Sequence, residues 1–150
     1  MTYEEWLNII DELKKTNNVE QINILKNTHI NENLSHMIET KLSNLVKEKF
    51  EKSISKIIRE LPTIFSDVNY LDLTLINLKK EINFIKEIIQ LKQISISEQN
   101  NLLNLIKEQT ENTYNILLKE ANQTDQTGIY TITINNNRIK WSEENELQRN

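Results

Sequence analysis

Seven apolar residues, Val68, Leu71, Leu75, Leu78, Ile82, Ile85 and Ile89, follow one another at steps of 3, 4, 3, 4, 3 and 4. On a helix this spacing gathers all seven into one seam, whereas on a strand it would scatter them over both faces. The stretch is therefore expected to be a helix of about six turns that must lay its seam against other helices. Seams of this kind pack at about 20°, the geometry of coiled coils and most bundles. The expected arrangement is the core of an intramolecular bundle. A homodimer joined through the same seam is the other way to bury it.

The rest of the chain supplies partner helices. Thr2 with Glu5 forms a capping box ahead of Trp6, Ile10 and Leu13, with Tyr3 and Leu7 beside them. Asn18 can cap a short segment carrying Val19, Ile22 and Leu25. A long helix is expected from about Asn33 to Leu61, closed by Pro62. Its apolar side comprises Leu34, Ile38, Leu42, Leu45, Val46, Phe50, Ile54, Ile57 and Leu61. At 1.5 Å per residue it would be roughly 43 Å long, which implies an elongated bundle. Ser95 and Glu98 make a second capping box for a last helix reaching about Asn122. Its core side holds Leu102, Leu103, Ile106, Leu117 and Ala121, but Gln109, Thr110 and Thr113 fall at positions where apolar residues are expected.

Composition removes several kinds of chemistry. The chain has 150 residues, one Gly and no Cys. A single glycine cannot build a phosphate-cradling loop, so P-loop and dinucleotide-binding readings fall. Without cysteine there are no disulfides, thiolate metal sites or Cys nucleophiles, in keeping with a reducing compartment. A net charge of −4 provides no domain-wide positive field for nucleic acid. No apolar run is long enough to cross a bilayer. "MTYEEWLNII" carries two glutamates where a signal peptide would be positive. A cytoplasmic location is the expectation, with no membrane contact.

The remaining polar clusters point to little catalysis. His29, Glu32, His36 and Glu39 have helical spacing, but the run crosses Asn31 and Asn33, where a helix start is expected. Two solvated histidines are expected, with no metal and no cofactor. Lys49, Lys52, Lys56 and Arg59 recur at steps of 3, 4 and 3 on the side away from Phe50, Ile54 and Ile57. Such a basic stripe can follow a phosphate backbone. It is diluted by Glu48, Glu51 and Glu60 and has no interleaved aromatic residue to stack on bases. No nucleophile–base–acid set stands out, and the chain is read as non-enzymatic.

One stretch departs from the helical period. In "GIYTITINNNRIKW" (128–141), Tyr130, Ile132 and Ile134 alternate with threonines, and Ile139 and Trp141 alternate with Arg138 and Lys140. This predicts a β-hairpin over 129–141 turning at Asn136–Asn137, with its apolar residues on one face. Its open edges could accept a partner strand, so Tyr130, Ile132, Ile134, Ile139 and Trp141 are the candidate partner-binding residues. The expected fold is thus an all-α, elongated bundle of four or five helices with a small C-terminal hairpin. It forms one domain over 1–141, and the polar tail 142–150 is expected to be disordered. The expected role is a cytoplasmic protein–protein interaction module: an adaptor, inhibitor or immunity-type binder of another protein. The alternative is a nucleic-acid-associated protein using the basic stripe.

Overall fold

The computed structural model describes residues 1–124 and 127–148. Among these residues there are seven helices and no strand: α1 (Tyr3–Lys15), α2 (Val19–Lys26), α3 (Glu32–Arg59), α4 (Leu61–Ile64), α5 (Val68–Ile89), α6 (Ile96–Thr124) and α7 (Ile129–Gln148). The chain forms two compact units. The first comprises Met1–Lys52 with Ile82–Ile106, and the second Ser53–Glu81 with Lys107–Asn150.

In the first unit the expected caps are in place. The Thr2 hydroxyl accepts from the Glu5 N–H, and Asn18 Oδ1 accepts from the Glu20 N–H. α1 buries Trp6, Ile10 and Leu13, and α2 buries Ile22 and Leu25. From α3 come Ile38, Leu42, Leu45, Val46 and Phe50, and from the end of α5 come Ile82, Phe84, Ile85, Ile88 and Ile89. Side chains distant in sequence complete the short helices. Lys49 Nζ donates to the Leu13 carbonyl at 2.8 Å and to Asn17 Oδ1 at 2.9 Å. This places a cation at the C-terminal end of α1, where the helix dipole favours it. Gln93 Nε2 donates to the Leu25 and Thr28 carbonyls and closes the end of α2 in the same way.

The second unit is built from the end of α3, α4, the first part of α5, the later part of α6, and α7. Pro62 stands in the first turn of α4, where its missing N–H leaves no bond unmade. Ile57, Ile64, Leu71, Leu75, Leu78, Leu117 and Ala121 are buried. Thr113 meets its burial by donating to the Gln109 carbonyl at 2.8 Å. The buried Thr110 hydroxyl has no hydrogen-bond partner among the described residues. The α5 seam is interior throughout except at Val68, which is half-buried.

The C-terminal hairpin does not form: residues 129–148 are one helix, α7. The segment 142–148, expected as an unstructured tail, continues that helix, and residues 149 and 150 lie outside the described ones. Helical winding gathers Tyr130, Ile134, Asn137, Arg138 and Trp141 onto one side. Tyr130 meets the Phe65 ring at 5.4 Å, Trp141 meets Tyr114 at 6.2 Å, and Arg138 pairs with Glu111 at 2.9 Å. The polar residues also work within the helix. The Thr133 hydroxyl donates to the Ile129 carbonyl, and Asn137 Nδ2 donates to the Thr133 carbonyl. A helix satisfies its own backbone, whereas an isolated hairpin leaves two open edges and is marginal in water. Gly128, at φ +80°, supplies the left-handed residue just ahead of α7.

Candidate functional site

The two sides of α7 differ sharply. Contacts with Phe65, Asp72 and Lys79 are made by Tyr130, Asn137 and Glu144 in turn, so α7 runs alongside α5 in the same direction. Ile134 and Trp141 are sealed against the unit at 0% and 2% exposure. On the opposite side stand Ile129, Ile132 and Ile139 at 50%, 59% and 55% exposure, with Asn136 and Glu143 completing the stripe. Positions 129, 132, 136, 139 and 143 step by 3, 4, 3 and 4, a second seam that the unit does not cover. Single exposed apolar residues are ordinary, and three aligned on one helix face mark a surface that something can cover.

The expected partner-binding residues therefore divide. Ile134 and Trp141 are core, Tyr130 is half-buried on the ring of Phe65, and only Ile132 and Ile139 face outward. Ile129 joins the outward pair without having been anticipated. Its signal is the spacing of 3 and then 7 to Ile132 and Ile139, two heptad-related steps that the shorter-period alternation of "YTITI" hides.

A concavity lies on the same unit, between the end of α3 and the first half of α5. It has a volume of about 410 Å³, with Ile57 and Leu78 as apolar lining, Lys56 from α3, Glu60 just beyond the end of α3, and Leu73 from α5. Tyr70 also lines it and donates its hydroxyl to Glu60 at 3.1 Å. That hydrogen bond, reinforced by the carboxylate's charge and by burial, raises the Tyr70 pKa above its ordinary value. On α6, burial pushes the Tyr114 phenol up to about 12; the charges of Glu111 and Glu144 add to the shift and Arg138 opposes it.

The basic stripe is not continuous at the surface. Lys52, Lys56 and Arg59 are exposed, but Lys49 is buried, bonded to the end of α1 and 5.4 Å from the Phe84 ring centre. A buried lysine whose ammonium donates to the Leu13 carbonyl and to Asn17 is withdrawn from any phosphate. His29 precedes α3 and His36 lies on its exposed side. Asn31 Oδ1 accepts from the Asn33 N–H at the start of α3, the break in the histidine stripe expected from the asparagines. Among the described residues no three His, Asp or Glu side chains stand close enough to share a metal. No helix among them is long and apolar enough to cross a membrane. No protein family, curated protein or solved structure matches the chain.

Proposed function

We propose that this chain is a non-enzymatic protein–protein interaction module of adaptor, inhibitor or immunity type, acting in the cytoplasm and docking through the outer face of α7. The observation that carries the reading is the aligned exposure of Ile129, Ile132 and Ile139 on a helix whose other side buries Ile134 and Trp141. A helix anchored in this way presents residues at i, i+3 and i+10, the pattern by which amphipathic helices enter apolar grooves or pair with one another. The lack of cysteine suits a reducing compartment.

The test is capture with an immobilised chain from a cell extract, comparing wild type with the double variant Ile132→Glu, Ile139→Glu. A control, Ile24→Glu, alters an exposed isoleucine on α2. The expected result is a bound protein retained by wild type and the control and lost by the double variant, with all three equally helical by circular dichroism. Equal capture by all three would sink the assignment to α7.

A further inference from the structure

We infer that the outer face of α7 is covered by the same face of a second copy of this chain, the two helices lying antiparallel with Asn136 at the centre. This rests on the reading of α7 as the interaction face and names its partner.

The stripe is nearly symmetric about Asn136, with Ile132 four residues before it and Ile139 three after. An antiparallel copy therefore sets Ile132 of each chain against Ile139 of the other. The two Asn136 side chains then meet, and an amide carries both donors and an acceptor, so it is complementary to itself. One asparagine in an otherwise apolar seam is the device by which coiled coils fix register and oligomeric state. The contact is of the isologous kind that closes with two copies.

Charge decides the direction. Residues 129–137 contain no charged side chain, which offers nothing to a strongly acidic or basic partner. A parallel pairing would bring Glu143 against Glu143 of the other copy. The antiparallel one carries each Glu143 to the start of the other α7, which has no acidic residue in its own first turn. A carboxylate there is favoured by the helix dipole.

Area sets the strength. Three isoleucines at about half exposure contribute less than half of the roughly 600 Å² per partner that the smallest stable interfaces bury. The pair is consequently weak, with half-association on the order of 0.1–1 mM.

Sedimentation velocity from about 10 µM to 1 mM spans that range and should show the sedimentation coefficient rising with concentration. Ile132→Glu with Ile139→Glu should weaken association at least roughly tenfold. Asn136→Leu should strengthen it by a similar factor, because the buried polar pair is what limits seam stability. The chain has no cysteine, so Asn136→Cys should give an oxidised dimer well below the millimolar range, and Lys26→Cys, far from α7 in sequence, should not. A wild-type chain that stays monomeric at 1 mM, or association untouched by the double variant, overturns self-pairing. If the chain is monomeric yet captures another protein through Ile132 and Ile139, the interaction module stands and the second copy is wrong. If neither behaviour depends on these residues, both readings fall.

Discussion

Ile132 and Ile134 are two residues apart on α7 and chemically identical, yet the fold assigns them opposite fates. Ile134 is fully enclosed, whereas Ile132 is 59% exposed. Replacing Ile134 by Ala removes buried methyl and methylene groups and leaves a cavity in the core, at a cost of about 2–5 kcal/mol. Replacing Ile132 by Ala removes little buried surface, and Ala has the better helix propensity by a few tenths of a kcal/mol. Its net effect should lie within about 0.5 kcal/mol of zero. In a hairpin both residues would share the apolar face and both substitutions would be costly. The comparison therefore tests the helix itself. Each unit holds one tryptophan, Trp6 in the first and Trp141 in the second. In a Trp6→Phe background, urea unfolding followed by fluorescence reports on the second unit through Trp141. It should be done at low micromolar protein, where association is negligible. Equal destabilisation by Ile132→Ala and Ile134→Ala would refute the helical assignment of 129–141 and the surface built on it.

Three further outcomes are expected. Lys49→Ala should destabilise the first unit by about 2–3 kcal/mol, since it strips a charge-assisted bond from the Leu13 carbonyl and the ammonium from above Phe84; thermal unfolding by circular dichroism measures it. Lys52→Glu with Lys56→Glu should change stability by under about 0.5 kcal/mol, because both side chains are exposed. For Tyr114, a phenol held at about 12 when folded and near 10 when unfolded keeps its proton longer in the native state, so its contribution is intact below pH 10 and is lost as pH rises towards 12. Denaturant midpoints should fall between pH 10 and 12, and less so in Tyr114→Phe; identical pH profiles would show that the phenol is not buried.

How far the sequence could be read depended on how local the deciding contacts were. The α5 seam, the caps of α1, α2 and α6 and the apolar side of α3 are written in spacings of three and four residues, and the fold follows them. The segment 129–141 misled because alternation over five residues resembles a strand. What decides its state lies elsewhere: Phe65, Glu111 and Tyr114 wait for a helical face, and the "SEENELQ" that follows is a good helix-forming run able to lengthen α7 to 20 residues. Charge alone predicts a solvated Lys49, and it is buried. Its spacing from Ile38, Leu42 and Leu45 placed it on the buried side, and a long aliphatic stem lets an ammonium reach a helix end from such a position. Of the three polar residues expected at core positions of α6, Thr110 and Thr113 are buried there and Gln109 is exposed.

The first unit is discontinuous in the chain, with Ser53–Glu81 of the second inserted between its two halves. During synthesis Trp6, Ile22 and Phe50 are made long before the residues at 82–106 that help bury them. At about 5–20 residues per second, the interval between the appearance of Lys52 and that of Ile106 lasts roughly 3–11 s. Throughout that time the ribosome-bound chain carries an apolar half-core with no mate, and Gln93 has not yet arrived to close the end of α2. A chain made in this order completes its first unit only after Ser53–Glu81, which belong to the second, have already emerged.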